Sequence, residues 1–159
     1  MTVAGAVHVR SYPAIPVSVP QARRDVTELA EAVGVSGEQL DAVRLAVSEA
    51  LTNVVVHAYG GGSGLIHVSA AHAAGELWVL VADDGSGLHA RDHSPGLGIG
   101  LALIAEISDG FAVVERSCGG TELRVRFAIE PTVPPADGYV GGSSASAASP
   151  ASSVFSAAT

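Results

Sequence analysis

The stretch LAVSEALTNVVVHAY, Leu45–Tyr59, decides how the rest of the chain is read. Ala46, Val47, Ala50, Leu51, Val54 and Val55, preceded by Leu40 and Val43, recur at helical spacing and form a wide apolar face. Glu49, Asn53 and His57 interrupt it every four residues, so they share one side of the helix, with Ser48 and Thr52 beside them. A solvated helix face is the commoner reason for such a stripe. The residue types also suit chemistry. Asparagine is a mediocre helix former, but its side-chain oxygen is a good ligand for a hard cation, and a carboxylate one turn away can polarise a water or hydroxyl held there.

Working outward, Ser36 followed by Glu38 and Gln39 resembles an N-terminal cap, and the helix is expected to run to Ala58, before the glycines Gly60 to Gly62. Upstream, Val26, Leu29, Ala30 and Val33 predict a first helix over Gln21–Val33, stopped by Gly34. Before it, Val7, Val9 and then Ile15, Val17 and Val19 alternate between Pro13, Pro16 and Pro20, which predicts one or two edge strands. Downstream, Leu65–Ala71 and Glu76–Ala82 read as a hairpin turning at Gly75. Asp83 to Gly100 is a glycine-rich loop, Leu101–Ile107 is helical, and Ala112–Arg116 with Thr121–Ile129 form a second hairpin around Cys118, Gly119 and Gly120. This order predicts an α+β two-layer sandwich, with helices on one face of a mostly antiparallel, mixed sheet. One domain is expected over residues 1–130. From Pro131 to Thr159 the chain is mostly Pro, Gly, Ser and Ala with Asp137 as its one charge, a composition that predicts a disordered tail.

Bulk properties narrow the function classes. The 159 residues are 48% hydrophobic, enough for one sizeable core, and the formal net charge is -8. Such a surface repels nucleic acid and anionic membranes. All 8 basic residues are arginines, which removes lysine Schiff-base chemistry and the P-loop. The single Cys118 can form neither an internal disulfide nor a cysteine-based zinc site, and the proline-interrupted N-terminus predicts neither a signal peptide nor a membrane span. Cytoplasmic location is the expectation.

Two further segments carry chemistry. The apolar strand ending at Ala82 runs directly into Asp83-Asp84-Gly85-Ser86-Gly87. A carboxylate at a strand end can accept a hydrogen bond from an adenine amino group while glycines let the backbone approach the base. Gly96-Leu97-Gly98-Ile99-Gly100 opens a helix, whose N–H groups and positive end suit phosphates. Its spacing satisfies neither the dinucleotide fingerprint nor the Walker A pattern. Between these segments, Arg91 is the sole basic residue of Leu88–Pro95 and a candidate γ-phosphate contact. His89 and His93, beside Asp92, read as solvent-exposed loop residues, because two histidines make a poor closed metal site.

In combination and in this order, Glu49-Ala-Leu-Thr-Asn53, Asp83-Asp-Gly85-Ser-Gly87 and Gly96-Leu-Gly98-Ile-Gly100 resemble the N box and two glycine boxes of the GHKL (Bergerat-fold) ATPase superfamily, over about Gln21 to Ile129. Within it, Leu45–Tyr59 looks like the branch of anti-sigma-factor serine/threonine kinases, and Gly119-Gly120-Thr121 looks like that branch's last nucleotide motif. The resemblance implies ATP and Mg²⁺ as cofactors. It implies Asn53 as the Mg²⁺ ligand, Glu49 as the catalytic base and Asp83 as the adenine-reading carboxylate. Gly85 belongs to the same loop, Gly87 would close on the base, Gly96, Gly98 and Gly100 would cradle phosphates, and Thr121 would support the adenine end. The expected function is an anti-sigma factor that phosphorylates a serine of its antagonist protein, with the sigma factor and the antagonist as partners. Homodimerisation is implied by the resemblance alone. Two alternatives use the same pocket: a non-catalytic, ATP-dependent partner-binding regulator, and an orphan catalytic domain of the histidine-kinase type.

Overall fold

A computed structural model describes residues 5–87 and 97–129. Strand β1 (Val7–Pro13) turns into helix α1 (Ser18–Ala32). Helix α2 (Gly37–Asn53) then continues without a break into one widened turn of π-helix, Val54–Ala58. Strands β2 (Leu65–Ala73) and β3 (Glu76–Asp83) form the first hairpin. Helix α3 (Leu97–Ile107) precedes the second, made of β4 (Gly110–Glu115) and β5 (Thr121–Ala128). The 5-stranded sheet has the order β1-β2-β3-β5-β4. Every pairing between described strands is antiparallel, so the mixed sheet of the sequence reading becomes an antiparallel one.

Side chains alternate across a strand, and the register aligns the alternation from strand to strand. Ile66, Val68 and Ala70 on β2, Leu77, Val79 and Val81 on β3, and Leu123, Val125 and Phe127 on β5 are all buried on one face. Ala22, Val26 and Ala30 of α1, Val43, Val47, Ala50 and Leu51 of α2 and Ile104 of α3 complete the same core. The other face carries Val9, Ser69, Leu80 and Arg124 in register, and Val9 is 75% exposed. Helices therefore cover one face of the sheet, as the two-layer reading requires.

Three local expectations are corrected. Residues Ile15 to Val19 form no second strand; Ser18 and Val19 donate to the carbonyls of Ile15 and Pro16 at 3.0 and 3.2 Å, and α1 has begun by Ser18. Pro20 then lies in the first helical turn, where its missing N–H removes no bond. Ser36 stands at the N-cap of α2 in an extended conformation, but its side chain makes no capping bond. Helix α3 begins at Leu97, not Leu101, which puts Gly98 and Gly100 inside its first turn. Packing against α2 overrides the weak helix propensity of those glycines. The stretch 131–159, expected to be a disordered tail, lies outside the described residues.

Candidate functional site

Two groups of polar side chains meet at the same end of the two layers. The first is on α2. Its apolar residues dock on the sheet and leave Glu49 and Asn53, one turn apart, facing α3. Glu49 is half-buried and Asn53 is 8% exposed. A Cβ added to Gly100 would stand 2.8 Å from Glu49 Oε2 and 3.5 and 3.6 Å from Asn53 Oδ1 and Nδ2, so α3 brings bare backbone against both side chains. A Cβ on Gly98 would meet nothing within 4 Å among the described residues. The first turn of an α-helix leaves N–H groups unbonded at its positive end. That turn, a carboxylate and an amide are thus adjacent. Asn53 Nδ2 is buried and has no acceptor among the described residues. Leaving such a donor unmet costs about 1–3 kcal/mol, which a ligand rich in acceptor oxygens would relieve.

The second group is at the strand ends. Asp83 closes β3, is 1% exposed, and accepts the Gly85 N–H on Oδ1 at 2.9 Å. Because β5 pairs Glu122 with Ala82, Thr121 lies alongside Asp83; it is 4% exposed and its Oγ1 has no partner among the described residues. Gly120 sits between them with φ +86, and a Cβ there would overlap the Asp83 carbonyl, so no other residue lets the β4–β5 turn press this closely. Gly87 is buried against the Glu115 carboxylate.

The π-helical turn joins the two groups. A Cβ on Gly85 would overlap the Ala58 carbonyl, which also accepts the Ser86 N–H at 3.0 Å and its hydroxyl at 3.4 Å. The next residue, Tyr59, donates its hydroxyl to the Leu65 carbonyl at 2.6 Å and accepts the Asp84 N–H at 3.0 Å. The glycine loop is therefore held by the end of the same helix that carries Glu49 and Asn53. On the outer side, His67 Nε2 lies 2.6 Å from Asp84 Oδ2, and Arg116 Nη1 donates to Asp84 Oδ1 at 2.5 Å and to the Asp83 carbonyl at 2.8 Å. These two neighbours, His67 first, hold the Asp84 carboxyl below the ordinary carboxylate range.

Of the residues singled out in the sequence, Glu49, Asn53, Gly98 and Gly100 come together at one end of this arrangement, and Asp83, Gly85, Gly87 and Thr121 at the other. Arg91 and Gly96 lie outside the described residues, as do His89, Asp92 and His93. His57 lies in the π-helical turn, whose wider winding moves it out of the four-residue line of Glu49 and Asn53. The sequence reading missed the Ala58 carbonyl, Tyr59, His67 and Arg116. A glycine at position 85, where only close backbone approach demands one, was the available sign of the first.

A two-layer fold that brings these two groups to one end defines a nucleotide-binding domain of the GHKL class, and comparison with known families agrees. The histidine kinase-like ATPase domain matches residues 12–127, and the chain belongs to that family. The match starts at Tyr12, so it takes in only the last two residues of β1 but all of α1. Among curated proteins, the chain is 27% identical over 121 residues to the anti-sigma F factor of Clostridium acetobutylicum, covering 68% of this chain and 85% of that protein. It is 34% identical over 87 residues to the serine-protein kinase RsbW of Bacillus licheniformis, covering 54% of each. Among solved structures, it resembles the RsbU and RsbW domains of a Mycobacterium tuberculosis protein, with a TM-score of 0.62 at 21% identity over 79% of this chain and 33% of that one, a likeness of fold.

Proposed function

We propose that the chain is an ATP-binding anti-sigma factor that also acts as a serine kinase, transferring the γ-phosphate of ATP to a serine of its antagonist protein. The observation that carries this reading is the contact of Glu49 and Asn53 with the glycine-bearing first turn of α3. It puts a base, a metal ligand and an anion-binding helix end within a few ångströms of one another, which is what phosphoryl transfer asks of a protein. The names of the relatives support the same reading.

Asn53 would hold a Mg²⁺ ion, a hard cation that takes oxygen ligands, through its side-chain oxygen. Bound there, it would neutralise the charge of the phosphates. The residues present fit both groups: the Asn53 side-chain oxygen suits a hard cation, and the buried Asn53 Nδ2 and Thr121 hydroxyl, with no partner among the described residues, suit a ligand rich in polar atoms. The N–H groups at the start of α3, with Gly96, Gly98 and Gly100 kept bare, receive the phosphates. Asp83 accepts the adenine amino group, Thr121 supports it, and Gly85 and Gly87 let the loop close on the ring. Arg91 is assigned to the γ-phosphate. Glu49 takes the proton of the acceptor serine; that oxygen bonds to the γ-phosphorus, and the bond to the bridging oxygen breaks with its electron pair leaving on ADP. A pocket fed by ATP and two protein partners fits a cytoplasmic protein, and homodimerisation belongs to the same reading.

Purified protein is mixed with Mg-ATP and candidate antagonist proteins, and transferred phosphate is mapped by mass spectrometry. Phosphoserine on an antagonist that is lost in Glu49→Ala, with ATP binding retained, is the expected result. ATP binding without transfer to any candidate would favour a regulator that uses nucleotide only to set its shape, and phosphohistidine would favour a histidine-kinase-type domain.

A further inference from the structure

The polar chain on the outer side of the nucleotide site has no part in the scheme above. It starts on β1, where Ser11 Oγ lies 2.8 Å from His67 Nδ1. His67, on β2, spans to Asp84 beyond the end of β3. Arg116, on the β4–β5 turn, spans back to Asp84 and to the Asp83 carbonyl with a single Nη1. Ser11 and His67 are cross-strand partners, and Ala82, opposite His67 on β3, leaves room for the imidazole to cross that strand. Both carboxylate oxygens of Asp84 are engaged, one by each neighbour. Three segments distant in sequence are thus tied to two consecutive residues, Asp83 and Asp84.

The position of those two residues is functionally sensitive. Asp83 turns inward and is buried, whereas Asp84 turns outward and is half exposed. The Asp84 N–H is fixed from the inner side by the Tyr59 hydroxyl, and Arg116 fixes the Asp83 carbonyl from the outer side. The short backbone segment between strand and glycine loop is gripped from both faces. Ion pairs this exposed contribute little to overall stability, so the geometry points to positioning as the use of these bonds.

We infer that His67, Asp84 and Arg116 are positioning residues that fix the strand end carrying Asp83, and thereby set the preference of the pocket for adenine over guanine. The inference rests on the assignment of Asp83 as the base reader. Hydrogen bonds between a site and a base discriminate only when the site group is held still. A loosened Asp83 carboxylate loses the adenine amino group, while guanine, which presents a carbonyl at that position, never had that bond to lose.

The test measures dissociation constants of Mg-ATP and Mg-GTP by calorimetry for the full chain and for Arg116→Ala, Asp84→Ala, His67→Gln and Arg116→Lys, with Asp83→Asn as reference. The expected result is a roughly tenfold weaker ATP affinity in Arg116→Ala and Asp84→Ala. GTP affinity stays unchanged, and the nucleotide-free melting temperature moves by no more than a few degrees. Arg116→Lys, which keeps the charge and one donor, recovers part of the preference, and His67→Gln falls between. If Asp83→Asn loses the preference and the clamp variants keep it, the clamp is overturned and the base reader stands. If Asp83→Asn also leaves the preference intact, the assignment of Asp83 itself fails. Equal losses of ATP and GTP affinity with a large fall in melting temperature would mean a merely structural role and overturn the inference.

Discussion

Gly98 shows how one residue can divide stability from binding. Among the described residues nothing lies within 4 Å of where its Cβ would be, and it sits inside a helix. Replacing it with alanine raises helix propensity by about 0.5–1 kcal/mol. The same methyl group would enter the space assigned to phosphate. The expected outcome for Gly98→Ala is a higher melting temperature with an ATP affinity lower by tenfold or more, read by thermal denaturation and calorimetry on one sample. Tyr12 makes the opposite case, a residue tied to stability alone. Its ring is buried, its hydroxyl donates to Asp25 Oδ2 at 2.6 Å, and burial followed by that carboxylate pushes its phenol well above the ordinary range. The folded chain favours the neutral form, so this contribution is intact below about pH 10, where unfolded tyrosine ionises, and is lost as pH rises through the folded value. Urea midpoints between about pH 8 and 11 should fall more steeply in the wild type than in Tyr12→Phe. At neutral pH that variant should be less stable by about 1.5–3 kcal/mol, having lost a hydrogen bond to a charged acceptor.

At the scale of elements, the widened turn Val54–Ala58 sets where α2 ends. A π-helical turn is an α-helix holding one residue too many, and Val56, 58% exposed, contributes least to the core. Inserting one alanine after Val56, beyond the extra residue the turn already absorbs, should rotate Ala58 and Tyr59 by about 100° about the helix axis. Ser86 and the Asp84 N–H would then lose their acceptors. The expected outcome is a folded protein with unchanged helical circular dichroism and no measurable ATP binding. This turn also marks the limit of what the sequence could tell. The helix over Leu45–Tyr59, and the polar residues Glu49 and Asn53 within it, are legible because a buried helix face has few reasons to carry them. The winding is not legible, since it depends on contacts with a loop that arrives later in the chain, and the acceptor that matters is a backbone carbonyl, which no residue type announces. Ile15 to Val19 misled for a related reason: alternation over three apolar residues is equally a turn followed by a helix start. Arg116 looked like one more surface arginine because its partner is 32 residues away and reachable only through the β3–β5 register.

For the whole molecule, antiparallel order and one-sided helical cover followed from the run of periodicities, two hairpins separated by a loop and a helix. Ligand binding to the native state should register across that single core. Mg-ATP at a hundred times its dissociation constant should stabilise the protein by about 2.7 kcal/mol, which for a chain of this size raises the melting temperature by roughly 5–10 °C. Chelating the metal should return most of that shift. The uninterrupted helix from Gly37 to Ala58 gives this coupling a further property. Its C-terminal half touches the first turn of α3 through Glu49 and Asn53, and its last residue touches the glycine loop through the Ala58 carbonyl. Under the proposed function the helix would act as a ruler: the span between the two subsites would be set by helical rise, and a nucleotide would be selected by its length as well as by its base.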